Sequence, residues 1–483
     1  MSNPSDLPNP SQAQVLIAIA DFATIFHSPD GETAYASMEI NGHQETWPAR
    51  SKGFRDWLVR RFFELQKKPP ASQALTDALA SIEARARFGH ASRDVSIRVA
   101  GTTDAIYLDL ANPKWEVVEV TGEGWRVTSD PPVTFRRAKG MAPLPHPVPG
   151  GNLSDLRSFL NLGTEADWIL LAAWLVAAVR PTGPYPVLVL HGEQGSAKST
   201  AARVVRALLD PNLAPLRAQP RDERDVMIAA KNAWVLSFDN LSHLPTWLSD
   251  ALARLATGGG YATRELYSDT DEVIIDVQRP VILNGIEEIV TRADLLDRAL
   301  ILELPAIDED RRQPEKNFWG EFESARPRLL GALLDAVSTA LQGHREVALE
   351  RLPRLADFAV WATAAELAFG CVPGDFMVAY TGNRKAATAL ALEACPIVPP
   401  LRDLLLGAGL WSGTATELLT TLNATTTEET RRLKAWPKTP NALAGILRRL
   451  APSLRGMGLE VSFDRGGHAG TRRIVLTLKG AGR

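Results

Sequence analysis

The residues best able to do chemistry lie in one run, PVLVLHGEQGSAKST, where an apolar segment enters a glycine-containing loop followed by a lysine and two hydroxyls. A loop of this kind lets successive backbone N–H groups face phosphate oxygens, and a helix starting behind it adds the positive end of its dipole. Gly192, Glu193, Gln194, Gly195, Ser196, Ala197, Lys198, Ser199 and Thr200 are therefore read as the phosphate cradle of ATP. Lys198 is expected to reach the β- and γ-phosphates, and the Ser199 hydroxyl to ligate Mg²⁺. The pattern G-x-x-x-x-G-K-[ST] calls for glycine where Ala197 stands. A methyl group is a mild intrusion there if φ is negative, and Gly195 supplies a second flexible point.

Such a cradle needs a carboxylate on the metal side, and NAWVLSFDN offers Asp239 after a mostly apolar run, expected to hold the Mg²⁺ shell through water. The next residue is Asn240, whose amide can orient an attacking water but cannot take its proton. Glu193 and Asp250 are alternative acids, and the sequence does not choose between them. In RPVILNGIEEI, Asn284 sits at the tip of an apolar run, placed to touch both γ-phosphate and water, or else to form an Asn-Gly turn. In RADLLDRALILEL, Arg298 stands just ahead of a strand, from which a guanidinium can reach the nucleotide of an adjacent subunit. Arg292 competes for that role.

These residues need a frame. Between residues 152 and 305, apolar strands expected at 186–190, 233–238, 281–284 and 299–304 alternate with helical segments, the pattern of a parallel sheet covered by helices. The fold class is α/β. Residues 141–151 (MAPLPHPVPGG) hold four prolines and two glycines, which is linker composition. Ahead of them, helices are expected near 54–66 and 73–87 and strands near 95–99, 105–110, 115–120 and 133–136, with no catalytic constellation. Helical periodicity dominates from 317 to 367. The division expected is an N-terminal α+β docking or oligomerisation domain (1–142), a linker (143–151), an ATPase core (152–306), a helical lid (307–398) and a basic C-terminal domain (399–483).

The net charge of -3 hides an asymmetry, because residues 431–483 carry 12 Lys or Arg against 2 acids, so the tail is +10 and the rest -13. Such a tail calls for a polyanionic partner. Leu443, Ile446, Leu447, Leu450 and Leu454 recur at helical spacing and leave Arg448, Arg449 and Arg455 for exposed faces. Two strands then flank a glycine-rich turn, with Arg472 and Arg473 near its tip and His468 incidental within it. With a helix expected at 414–422, this reads as a winged helix-turn-helix with DNA-binding arginines, one helix for the groove of duplex DNA and a basic ribbon for its backbone, or as a protein-docking winged helix with a solvated charged face.

The blocks GEQGSAKST, VLSFDN, PVILNG and LLDRAL fall in an order and spacing that resembles the AAA+ ATPases, and within them the superfamily 3 helicases of viruses, phages and mobile elements. The resemblance is clearest over residues 149–341. It implies Walker A roles for Lys198 and Ser199, Walker B for Asp239, sensor 1 for Asn284, the arginine finger for Arg298 and sensor 2 for Arg328. It further implies a ring, commonly a hexamer, with ATP between subunits and single-stranded DNA through the centre. A hairpin is expected between Asp239 and Asn284; GGGYATRELYSDTD fills that interval, with Tyr261, Arg264 and Tyr267 available to stack on bases or contact phosphate. Arg264 equally suits a structural ion pair.

The expected function is ATP-dependent DNA unwinding or remodelling in the replication of a phage, prophage or mobile element, with ATP and Mg²⁺ as cofactors and replication proteins as further partners. Two other readings stand beside it, a non-unwinding initiator or loader that uses ATP as an assembly switch, and a nucleotide-gated regulatory or defence protein. Two cysteines, Cys371 and Cys395, are too few for a disulfide framework, and the most apolar stretch, WILLAAWLVAAV at 168–179, is too short to span a bilayer. A cytoplasmic protein without membrane contact is expected, with that stretch as a buried helix.

Overall fold

The computed structural model describes residues 10–89, 91–264, 272–275, 277–285, 292–393, 395–433, 435–466 and 471–478. The N-terminal unit opens with α1 (Gln12–Ala20), started by a capping box of Ser11 and Gln14. A meander of β1 (Thr24–His27), β2 (Ala34–Ile40) and β3 (His43–Pro48) comes next, then α2 (Lys52–Gln66) and α3 (Ser72–Arg87). Leu16, Ile19, Phe54, Leu58, Phe62, Leu75 and Ile82 close a core of their own between them. The two helices agree with the apolar periodicity; the three-stranded meander, whose second face mixes Thr24, Ser37, Gln44 and Thr46 with buried Phe26 and Tyr35, was not legible.

Beyond α3, β4 (Val95–Ser96), β5 (Val99–Gly101), β6 (Ile106–Asp109), β7 (Val117–Thr121), β8 (Gly124–Thr128) and β9 (Thr134–Phe135) form an antiparallel four-stranded sheet of β5 to β8, with β4 and β9 paired beside it. Val99, Leu108, Val118 and Val120 share one continuous core with Trp168, Leu190, Leu302 and Leu333. Core packing thus joins this sheet to the helices and strands on its C-terminal side. The proline-rich stretch 141–151 is a packed strap: Ala142 N–H donates to Pro211 O, Leu144 N–H to Leu110 O and Val148 N–H to Pro327 O, each at 2.9 Å. Its composition records missing N–H donors rather than freedom, and several of those it keeps tie it to the rest of the chain.

The central layer is built from α4 (Glu165–Ala178), β10 (Val187–His191), α5 (Lys198–Leu209), α6 (Glu223–Asn232), β11 (Leu236–Leu241) and α7 (Thr246–Thr257). It continues through β12 (Tyr261–Arg264), β13 (Glu272–Ile275), β14 (Val281–Gly285), α8 (Ala293–Leu296) and β15 (Ala299–Glu303). The sheet order is β11-β14-β10-β15, all parallel, as the alternating pattern predicts. The helix α4 is buried along almost its whole length, because it is apolar on every face and must be covered on every face. No helix among the described residues is long and apolar enough to cross a membrane.

Helical structure then runs through α9 (Glu315–Gly343), α10 (Ala356–Ala365) and α11 (Asp375–Glu393). The helical run expected at 317–367 is therefore interrupted after Gly343, and Pro353 bars the preceding residue from helical geometry. The tail comprises α12 (Val398–Ala408), β16 (Leu410–Gly413), α13 (Ala415–Thr425), α14 (Glu428–Arg432), α15 (Pro440–Gly456), β17 (Leu459–Gly466) and β18 (Thr471–Leu478). The expected two-stranded ribbon is a three-stranded sheet, β16-β18-β17, closed over Leu418, Leu422, Leu443, Leu447 and Leu454. In addition, α15 packs against α11 and α8.

Candidate functional site

Parallel strands end on one side of the sheet, so the segments after β10, β11 and β14 gather at a single edge. After β10 the chain turns at Gly192, where a β-carbon would lie 2.2 Å from the Leu304 carbonyl oxygen; only glycine fits. The turn ends at Ala197, the residue capping α5, whose φ is 63°. The condition under which the Ala197 methyl is a mild intrusion, a negative φ, is therefore not met. The left-handed conformation costs alanine roughly 1–2 kcal/mol, and the rest of the loop must hold it there. Ala197→Gly is expected to stabilise the chain by about 1 kcal/mol, the relief exceeding the unfolded-chain entropy that glycine adds. A urea midpoint that fails to rise at constant m would contradict a left-handed residue 197.

Among the described residues no side chain caps the first turn of α5, so its N–H groups remain oriented toward the loop's mouth. Lys198 folds back across the loop, its Nζ donating to the Gly192 oxygen at 2.7 Å and the Glu193 oxygen at 2.6 Å. Burial lowers the Lys198 pKa from its ordinary value, with the Asp239 charge opposing that shift. The Ser199 hydroxyl donates to Asp239 Oδ1 at 2.7 Å, joining the start of α5 to the end of β11. Gln194 and Gly195 are exposed and Ser196 is buried, its hydroxyl donating to the Glu193 oxygen at 2.9 Å; Thr200 lies in the first turn of α5.

A bulge in β11 between Phe238 and Leu241 aims Asp239 away from the ladder. Asn240 occupies the bulge with φ 54°, a backbone state that asparagine tolerates better than most residues. This geometry explains asparagine at 240 without reference to catalysis. Its N–H donates to Asn284 Oδ1 at 2.8 Å. Asn284 ends the ladder of β14, the strand between β10 and β11; it is buried, and its Nδ2 has no hydrogen-bond partner among the described residues. An unspent donor at this edge is what a phosphate oxygen or a water would use. Of the alternative acids, Asp250 is ion-paired to Arg292 at 3.0 Å, whereas the Glu193 side chain is exposed on the loop.

Arg298 precedes β15 and stands at the opposite end of the sheet. Val187 pairs with Ala299 and His191 with Glu303, so about five residues of strand, roughly 17 Å, separate it from its own loop. Its Nη1 donates to the Asp294 backbone oxygen at 2.8 Å and to that residue's carboxylate, and its buried Nε has no partner among the described residues. Asp294 and Asp297 are also paired to Arg354, and Asp297 to Arg384.

Arg328 is not brought to the loop. It is exposed on α9 and lines an open groove of about 910 Å³ with Asp155, Lys316 and Glu321, to which no loop residue contributes. The arginine near the cradle is Arg312, whose Nη2 would lie 4.0 Å from a β-carbon at Gly195. Sequence spacing missed it; an Arg-Arg pair ahead of a proline-started helix was its only signal. Asn161 was also missed: its amide donates to the Ser196 oxygen at 3.3 Å and the Pro305 oxygen at 2.5 Å, strapping the loop to the end of β15.

Tyr261 opens and Arg264 closes β12, which pairs with β13 in an antiparallel hairpin, while Tyr267 and His468 lie outside the described residues. In the tail, Arg448, Arg449, Arg455, Arg472 and Arg473 are exposed. The expected ribbon does not present its two arginines together. Arg473 lies opposite Asp464 in the ladder, whereas Arg472, one residue away, faces the other side.

Residues 153–377 match the family described as "Actinomycete integrative conjugative element replication protein", and residues 398–482 match the "AICE RepA C-terminal domain". No curated protein matches. Among solved structures, the A form apo structure of the NrS-1 C-terminal region is similar at 9% identity and a TM-score of 0.40, over 98% of this chain and 100% of that one. A second, of NrS-1 residues 305–718, aligns at 11% identity and a TM-score of 0.39, over 97% of this chain and 100% of that one.

Proposed function

We propose that this chain, a replication protein of a mobile element, is a P-loop ATPase of the AAA+ class that unwinds or remodels DNA, with ATP shared between subunits of a ring and DNA also held by a C-terminal winged helix. The observation carrying this reading is the Ser199–Asp239 hydrogen bond of 2.7 Å at the mouth of the loop, joining a hydroxyl and a carboxylate of the kinds that hold Mg²⁺ beside a bound triphosphate. The donor set fits that ion. Mg²⁺ is usually held by one or two carboxylates plus substrate phosphates, and among the described residues no cluster of three or more His, Cys, Asp or Glu is built for a metal. When bound, the ion supplies neutralisation of charge on the phosphates.

The chain's own groups have separable tasks in this reading. Gly192 to Thr200 cradle the phosphates, Lys198 exchanges its carbonyl partners for phosphate oxygens, and Asn284 offers Nδ2 to the γ-phosphate or the attacking water. Arg298 serves the neighbouring subunit. The hairpin carrying Tyr261 and Arg264 and the arginines of the tail contact DNA. A homo-hexamer, cytoplasmic residence and replication proteins as further partners belong to the same proposal.

Lys198→Ala is expected to lower ATP hydrolysis by roughly 10²–10³-fold, the scale for losing one preorganised donor to developing charge. Turnover of the wild-type chain with and without single-stranded DNA checks the reading, and stimulation by the strand is expected. ATP binding without turnover would instead favour an initiator or loader. That second reading has its own support, since the residue after Asp239 is an amide and Asp250 is engaged by Arg292.

A further inference from the structure

The tail holds an aromatic side chain for which its helical core has no use. Along β17, Leu459 and Val461 are buried on the face toward α15, but Phe463, the third residue of that face, is 36% exposed. The ribbon outruns its core at this point. The Arg448 guanidinium from α15 lies over the Phe463 ring, 4.9 Å from its centroid. Ile474 is the cross-strand partner of Phe463, and Arg472, two residues before it in β18, is exposed on the same face. Among the described residues, no carboxylate forms a salt bridge with Arg448 or Arg472. A partly accessible aromatic ring therefore has one arginine over it and a second on the same face of the ribbon, the face shared with α15.

We infer that Phe463 is a stacking platform for an unpaired nucleobase of single-stranded DNA, with Arg448 and Arg472 holding backbone phosphates on either side of it. The charge of the tail, +10 over residues 431–483, selects a polyanion. The ring selects among polyanions. Within a duplex both base faces are already stacked, whereas an unpaired base gains a partner from any accessible aromatic, whatever its sequence. Arg448 covers the ring in the free protein by a cation–π contact and can move to a phosphate when a base takes its place. This inference rests on the DNA reading of the tail and adds to it the strand state recognised and the residue that recognises it.

The test uses the full-length chain without nucleotide and two probes, a single-stranded oligonucleotide containing 2-aminopurine and the corresponding duplex. Anisotropy gives affinity, and quenching of 2-aminopurine reports stacking. Phe463→Ala is expected to weaken single-strand binding by roughly 5- to 150-fold and abolish the quench, with duplex affinity within about twofold of wild type. Phe463→Trp should retain both single-strand affinity and quench, showing that the alanine variant has lost a ring rather than its fold. Arg448→Ala should weaken both probes and reduce the salt dependence by about one phosphate contact. Single-strand binding by Phe463→Ala that equals wild type, or a loss of the same size on both probes, overturns the stacking role while leaving the tail a DNA-binding surface. Failure of the wild-type chain to bind either probe at low salt overturns the DNA reading itself.

Discussion

Arg298→Ala is expected to leave ATP bound but to cut its turnover by roughly 10³–10⁵-fold, the range for loss of an arginine finger. The expectation comes from position. Arg298 precedes a strand parallel to the one that delivers the phosphate loop, so the two lie at opposite ends of the sheet within one subunit. On the proposed reading it therefore acts on the site of a neighbouring subunit rather than on that of its own chain. That geometry makes a decisive mixture available. Combining Arg298→Ala with Lys198→Ala should restore part of the turnover, because an interface can then pair an intact loop from one variant with an intact finger from the other. A mixture that stays inactive, or an Arg298→Ala enzyme retaining more than a tenth of wild-type turnover, would confine this arginine to its contact with Asp294. The tail's helix α15 packs on α8, just ahead of Arg298.

The second large effect lies away from the nucleotide. Arg98, fully buried, donates to Asp210 Oδ1 at 3.0 Å and to the carbonyl oxygens of Asp109 and Ala142 at 2.8 Å each. Asp210 is the last cap of α5, and its Oδ2 accepts from Trp234 N–H at 2.9 Å and Val235 N–H at 3.2 Å, at the approach to β11. One ion pair thus ties the β5–β8 sheet to both elements that carry the site, Lys198 on α5 and Asp239 on β11. Arg98→Met is expected to destabilise the chain by about 3–5 kcal/mol, because it leaves the buried Asp210 carboxylate with only the more distant Arg206 guanidinium, at 3.9 Å, and takes the donor from two carbonyl oxygens. In a double-mutant cycle with Asp210→Asn, which keeps a side-chain acceptor for the Trp234 and Val235 N–H groups, the combined variant should lose less than the sum of the two single losses. Equilibrium urea unfolding of the three variants decides it, and additive losses would show that the pair is not coupled.

Much of the site's chemistry was legible because it is local. The strand, loop, Lys-Ser-Thr and helix succeed one another in the chain, so their types and spacing foretell their order in space. The parallel strands were equally open to reading, since burial on both faces leaves continuous apolar runs in the sequence. The meander at residues 24–48 was not, because one of its faces mixes polar with buried aromatic residues, which blurs the alternation, and its pairing depends on partners elsewhere. The strap at 141–151 has linker composition but is packed, and composition alone does not say what a proline-rich segment lies against.

Taken alone, the amino-acid sequence determined the succession of strand, glycine-containing loop, Lys-Ser-Thr and helix, that α4 must be buried, and that the tail is basic. Only the tertiary structure decided their state. It placed Ala197 and Asn240 in left-handed backbone conformations, left Asn284 Nδ2 unspent among the described residues, and turned Arg472 and Arg473 to opposite faces. It also put Arg312 rather than Arg328 beside the loop, and paired Arg98 with a residue 112 positions away. The physical reason is range. Residue type and periodicity report what each segment can form with its neighbours, whereas a backbone angle or a buried ion pair is set by atoms that meet only when distant segments pack.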